Sequence, residues 1–517
     1  MAEGGVNVAL GNVDPQDNWE VHFKDTITGG AWINNQKLVE ILTKEGPERV
    51  FDLEEYGAVF DRTPEGKIAQ RPFGKQSYRR TCYASDRTGH ELMATLTEEV
   101  RRRNINVIEE VFVTNLLKSN NRIAGAFAID YKSGGFLVFK SKATVLAAGG
   151  PGRVYKITSN AAQDTGDGYA IASRAGATLM DMEMFQFHPT GMLTPDSVRG
   201  TLVTEAVRGE GGILTNRDNE RFMKRYDPVA LELASRDVVA RAIATEILEG
   251  KGTPSGGVYL SVTHVDPNII QERLKTMLRQ FLDTGVDIRK EPMQVAPTAH
   301  HLMGGVCISE GAATDLKGLW AAGEVAGGIQ GGNRLGGNAL LDTQVFGKRA
   351  GENAAKFAKS NAQISIDRKD VEREIKQAED PLGRTKGKKP AQIKNRLAEL
   401  MWEKVGIFRT RSELQEAVTE IERIRRKEMP QLYVEGTGRR YNHEWIKALE
   451  VENMVLTAEA IAKAALMREE SRGAHYRRDF PKTDNKNWLV NIIVRNDNGV
   501  MTFGITPVVV TLLKPEA

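Results

Sequence analysis

Cysteine is nearly absent. Cys82 and Cys307 are all that 517 positions hold, and neither lies in a CxxC pair or among histidines and aspartates at ligand spacing. A disulfide framework and a protein-borne metal cluster are therefore not expected, and a reducing compartment fits best. An excess of one charge is missing too. The 71 basic residues stand against 68 acidic ones, for a formal net charge of +3 and no long single-sign block, which gives no footprint for nucleic acid. No stretch approaches the roughly 18 consecutive apolar residues that span a bilayer, so membrane contact is expected through partners. What is plentiful is glycine. Its 50 residues hint at backbone-lined ligand sites. A chain that is 40% hydrophobic and 27% charged is globular, and 517 residues suggest two to four domains.

Along the chain, KLVEILTKEGPERV and HELMATLTEEVRRRN carry helical periodicity. NVIEEVFVTNLL and AGAFAIDYKSGGFLVFKSKATVLAAGG read as strands, which makes an α/β region. Residues from about Met180 to Pro297 read as an insertion with two helical runs, ALELASRDVVARAIATEILEG and IIQERLKTMLRQFLDTG. Strand-like GLWAAGE then returns, so the α/β domain is predicted to be discontinuous. Beyond about Ser365 lie long charged helices, LAELMWEKVGIF, ELQEAVTEIERIRRKEM and EVENMVLTAEAIAKAALM, preceded by basic RTKGKKPAQIKNR, read as a solvated connection. The tail turns strand-like in NWLVNIIVRNDNGVMTFGI, and no internal repeat is found.

Two strands end in small residues. KATVLAAGG runs into Ala147, Ala148, Gly149 and Gly150, and ATDLKGLWAAGEVAGG runs into Gly323 followed by Glu324. A Gly-acid pair after an apolar strand is how an FAD fold sets a carboxylate on the ribityl hydroxyls. The companion G-x-G-x-x-G turn, which would lay the pyrophosphate on a helix N-terminus, does not follow an early strand here.

FHPTG at 187–191, TEAVRGEGG at 204–212, SRDVVARAI at 235–243, PTAHHLMGG at 297–305 and GNRLGGNALLD at 332–342 carry a resemblance, with DRTGH at 86–90 and SRGAHYRRDFP at 471–481 adding to it. In this order the set resembles the flavoprotein subunit of succinate dehydrogenase and fumarate reductase over nearly the whole chain. The resemblance implies an α/β fold: a discontinuous, Rossmann-like FAD-binding domain with an α+β capping domain, a helical domain and a small C-terminal domain. The expected boundaries are 1–180 and 297–365 for the FAD-binding parts, 181–296 for the cap, 366–470 for the helices and 471–517 for the tail. MAEGG resembles the end of a family segment that follows the glycine fingerprint, so truncation at the N-terminus is expected.

The resemblance assigns residues as well. A four-carbon dicarboxylate needs donors at both ends: His300 with Arg334 would hold one carboxylate and His188 with Thr204 the other. Proton transfer falls to Arg236, fed by Glu205 and Arg208. FAD would be contacted by Glu3, Gly4, Gly5, Ala148, Gly149, Asp167, Glu324, Ala339 and Leu340; position 339 is often Ser in the family, and covalent attachment stays open. His301 is read as packing. The implied activity is interconversion of succinate and fumarate, with electrons passed to an iron-sulfur subunit that sits on a membrane anchor or a soluble redox partner. The chain would lie on the cytoplasmic, inner face of the membrane, peripheral through its partners. The alternatives are L-aspartate oxidase and a truncated, non-catalytic remnant.

Overall fold

The computed structural model describes residues 3–497 and 499–515. Among the described strands, parallel pairing between named strands is confined to Thr144–Leu146 beside Leu319–Ala321, with Val145 opposite Trp320. These are the two strands that run into small residues, and 172 residues separate the end of one from the start of the other. The FAD-type domain is thus discontinuous. Helix Asn338–Ser360 packs on Leu319–Ala321, on the short strand Val6–Asn7 and on helix Gln36–Glu55. Val6, Leu38, Leu42, Leu341, Val345 and Phe346 fill the space between them. Asn338 opens that helix and takes the amide of Asn7 at 2.9 Å and the ring Nε2 of His22 at 3.0 Å.

A second, antiparallel layer comprises Val111–Ser119, Arg122–Asp130 and Gly135–Lys140. Asn120 and Asn121 both have positive φ, 49° and 57°, which is the two-residue hairpin turn that matches strand twist. The expected strand NVIEEVFVTNLL starts only at Val111. Ile105, Val107 and Ile108 are exposed, because positive φ at Asn104 and Glu110 breaks the extended run at each end.

The insertion folds as a four-stranded antiparallel sheet in the order Ile213–Thr215, Val258–Ser261, Met293–Leu302, Phe185–Met192. Val203, Val207, Leu214, Phe222, Ile243, Leu260 and Val295 form its own core. Helix Arg236–Leu248 packs against Phe185–Met192. The run IIQERLKTMLRQFLDTG breaks at Leu274, at φ −124° and ψ 34°, into helices Pro267–Arg273 and Lys275–Leu282.

Helices Pro390–Lys404, Arg411–Arg423 and His443–Met467 pack together, and the last also lies on helix Asp167–Ala175. The basic stretch before them is only half a connection. Thr385–Lys388 is exposed, but Pro390 opens a helix whose Ile393 is buried, since proline suits the first helical turn. The tail forms the hairpin Val490–Asp497 and Val500–Pro507, and Val490–Asp497 pairs in turn with Leu179–Met180 of the FAD-binding part.

Arg468 fastens this junction from a fully buried position. Its Nε donates to Glu183 at 2.7 Å, its Nη1 to Glu470 at 2.9 Å, and its remaining donors reach the carbonyls of Trp488 and Val490. Removing one partner of such a group strands the others without water. Arg468→Met should therefore cost about 3 to 5 kcal/mol in urea unfolding, with part recovered in the double variant with Glu183→Gln. A loss under about 1 kcal/mol would show that the junction does not depend on it.

Candidate functional site

Phe185–Met192 is buried along its whole length and lies antiparallel to Met293–Leu302, with Thr298 opposite His188. A bulge between Ala299 and His301 inserts His300 as the extra residue, which re-aims its side chain. The rings of His188 and His300 stand 5.1 Å apart. His188 Nδ1 lies 3.1 Å from the Thr190 carbonyl oxygen and 3.2 Å from the Thr190 N, so the Thr190 backbone holds this edge of the ring. His300 Nδ1 is 2.8 Å from Ser159 Oγ. Burial holds both imidazoles well below their ordinary pKa, reinforced at His188 by Arg236 and Arg208 and at His300 by His188 and Arg334. Both are neutral at pH 7.

Beside them three buried guanidiniums, of Arg236, Arg208 and Arg334, gather near one carboxylate. Glu205 Oε2 accepts from Arg236 Nε at 2.8 Å and Nη2 at 2.6 Å, while Arg208 Nη2 stands 3.8 Å from Oε1. Glu205 and Arg208 lie three apart on the short helix Ala206–Gly209 and the residue that caps it, as one shared face requires. Glu205 Oε1 also accepts the Gly74 N–H at 2.9 Å. Burial pushes Glu205 up, but Arg236 and Arg208 outweigh it and hold the carboxyl at about 2. Arg334 is pressed down to about 9 by burial and by Arg236. Arg334 Nε and Arg208 Nε and Nη2 are buried donors with no hydrogen-bond partner among the described residues.

Gln186 was missed by the sequence reading. Its Oε1 accepts from Arg236 Nη1 and from Arg334 Nη2, each at 3.2 Å, and its amide donates to Asn333 Oδ1 and the Arg334 carbonyl at 2.8 Å. The signal was strand period: 186 and 188 share a face. Thr204 is buried in the same wall, with its Oγ1 4.0 Å from where a methyl on Gly4 would stand.

On the other side of the strand ends, Glu324 lies against the Gly150 backbone so closely that a methyl there would overlap its carboxylate. A methyl on Gly168 would come 2.9 Å from the Ala148 Cβ, and one on Gly149 3.0 Å from Asp164 Oδ1. Asp167 is already engaged: Thr165 and Asn453 donate to it, and burial raises its carboxyl. Ala339 and Leu340 sit in the first turn of helix Asn338–Ser360, whose preceding Gly337 (φ 88°) supplies no side-chain cap. The first N–H groups of a helix have no intrahelical acceptor. A methyl on Gly4 would come 2.9 Å from the Phe73 ring. Gly5 is packed against the Cys82 carbonyl, and Glu3 has a buried Oε2 without a partner and a carboxyl raised by burial to about 8. Side-chain-free backbone, an uncapped helix N-terminus and orphaned acceptors fit FAD, with its pyrophosphate and ribityl hydroxyls.

His301 corrects one expectation. It does not merely pack: Nδ1 stands 3.2 Å from Glu324 Oε2.

A strand-end glycine cradle, a glycine-started helix and a cap carrying buried arginines and histidines define an FAD-dependent flavoprotein. Comparison with known proteins agrees. The FAD binding domain family matches residues 1–340, and the fumarate reductase flavoprotein C-terminal family matches 394–517. One subunit of the fumarate reductase (CoM/CoB) of Methanothermobacter marburgensis is 54% identical over 96% of this chain and 89% of its own. The succinate dehydrogenase flavoprotein of Rickettsia bellii is 37% identical over 100% and 89%. The E. coli quinol fumarate reductase superposes with a TM-score of 0.93 at 32% identity, covering 100% of this chain and 91% of that one. The chain belongs to the succinate dehydrogenase and fumarate reductase flavoprotein family.

Because Gln186 Oε1 is the acceptor that Arg236 and Arg334 share, Gln186→Leu should destabilise the protein by about 1 to 3 kcal/mol. Chemical unfolding measures this. An unchanged midpoint would mean that the two guanidiniums do not depend on that oxygen.

Proposed function

We propose that this chain interconverts fumarate and succinate at the cleft between cap and FAD-binding domain. The observation that supports it is charge. Three guanidiniums around one carboxylate, with two neutral histidines beside them, leave the cluster two negative charges short, and a dicarboxylate dianion supplies them. Free donors on Arg334 and N–H from His300 would hold one carboxylate. His188 and the Thr204 hydroxyl would hold the other.

FAD, when bound, supplies the hydride donor and acceptor at one of the two central carbons. Arg236 serves the neighbouring carbon. Pinned on Glu205 through Nε and Nη2, it delivers a proton from its guanidinium during reduction and takes one during oxidation, with Glu205 and Arg208 leading the proton onward. So weakly acidic a C–H needs a strong base, and excluded water keeps the exchange local. FAD would rest on Glu3, Gly4, Gly5, Ala148, Gly149, Asp167, Glu324, Ala339 and Leu340.

The family consists of subunits of larger complexes, and on this reading the electrons leave through a separate iron-sulfur protein of such a complex. The relay would be completed by a membrane anchor or a soluble redox partner. No described helix is long and apolar enough to cross a membrane, which suits a peripheral place on the cytoplasmic face through those partners. The 54% identical relative is named a fumarate reductase, which favours the reductive direction.

In the FAD-loaded complex, Arg236→Ala should cut turnover at least a hundredfold in both directions with FAD content intact, while dicarboxylate affinity falls much less, since only a transition-state interaction is lost. Arg334→Ala should instead weaken dicarboxylate binding by about 2 to 5 kcal/mol. Retention of a tenth of wild-type turnover by Arg236→Ala, or equal loss of binding in both, would make Arg236 a binding residue. A pH series checks the histidines. Fumarate is a dianion from about pH 6.5 to 8, so neutral His188 and His300 predict a flat Kd across that window. If they titrated at their ordinary value, binding would tighten as pH fell, because the new cations would attract the dianion.

A further inference from the structure

Glu324 follows Gly323, whose φ of 75° turns the chain out of strand Leu319–Ala321 and swings the next side chain towards Met293–Leu302. There its two oxygens take different partners. Oε1 accepts the Leu302 N–H at 3.0 Å, and Oε2 faces His301 Nδ1 at 3.2 Å. His300, the extra residue of the bulge, meets His188 and Ser159, while the next residue, His301, reaches the carboxylate.

The charges around His301 fix its proton. Burial presses its pKa down, Glu324 raises it, and Arg334 and Arg236 press it down again, with a net lowering. A neutral ring with its proton on Nδ1 can donate only to Glu324. Glu324 stays ionised, because His301 and the Leu302 N–H outweigh the burial that would raise its carboxyl. In the strand pair His301 is in register with Gln186, the shared acceptor of Arg236 and Arg334.

We propose that His301 is a positioning residue for the cofactor: its Nδ1–H locks the Glu324 carboxylate in the rotamer that accepts the ribityl hydroxyls of FAD. This rests on the reading of Glu324 as an FAD ligand. Two fixed donors preorganise the carboxylate, so FAD binding need not order it. Without the imidazole, Oε2 loses its partner and only Oε1 keeps a donor, so the side chain can leave the Gly150 backbone.

The test titrates the apoprotein with FAD and follows quenching of flavin fluorescence. Glu324→Gln should raise the FAD Kd at least tenfold, and His301→Leu about tenfold, the worth of one charge-assisted hydrogen bond. His301→Asn keeps an N–H near the place of Nδ1 and should return the Kd to within about threefold of wild type. In the Glu324→Gln background, His301→Leu should add less than about twofold, because the histidine then has no ionised partner to hold. His301→Phe replaces the leucine variant should that one not fold. Wild-type affinity in His301→Leu, beside weak binding in Glu324→Gln, would overturn the role of His301 and leave the FAD site standing. Wild-type affinity in Glu324→Gln would overturn both. Equal weakening by leucine and asparagine, or independent effects in the double variant, would return His301 to simple packing.

Discussion

A buried carboxylate holds the working parts of this protein together. Glu205 belongs to the cap, yet it accepts the backbone N–H of Gly74 from the FAD-binding part and two donors from Arg236 at the start of another cap helix. Charges taken out of water are tolerated only where geometry and hydrogen bonding offset the desolvation. Gly74 and Gly336 are consequences of that demand. A methyl on either would press on the Glu205 carboxylate, and the one on Gly336 would also crowd Arg236 Nη2 at 3.1 Å. The cap can therefore close on the cofactor domain only where the backbone carries no side chain.

Electrostatics then separates two kinds of donor. Glu205 and Gln186 accept from Arg236, and Gln186 from Arg334, whereas the imidazoles of His188 and His300 are neutral because their own burial and the neighbouring cations oppose protonation. The result is a pocket wall with fixed positive charge and directional N–H groups, suited to an anion with a carboxylate at each end. Next to it, Glu324 lies against the Gly150 backbone and meets strand Met293–Leu302 at His301 and at the Leu302 N–H.

Much of the outline was legible in the sequence. KATVLAAGG and GLWAAGE announced the paired strands as apolar runs that stop in small residues; Leu319–Ala321 is buried throughout, while Val145 in its partner is exposed. TEAVR announced the Glu205 and Arg208 face through helical spacing. The order of short motifs announced the family and the discontinuous FAD fold. The mixed results came where local pattern competes with tertiary context: Ile105, Val107 and Ile108 are apolar yet exposed, and the basic run before Arg396 turns into a helix at Pro390.

The sequence by itself determined the class of chemistry, because residue types and their order specify which donors, acceptors and glycines are available. Which of them meet was decided only by the fold. Gln186 is one more strand residue until Phe185–Met192 is set against Asn333 and Arg334, and His301 is one more buried aromatic until the fold sets it beside Glu324. Asn453 lies 286 residues from the Asp167 it donates to. Such contacts have no period in the chain. They exist because buried polar groups must find partners, and the partner that packing brings within about 3 Å is settled in three dimensions.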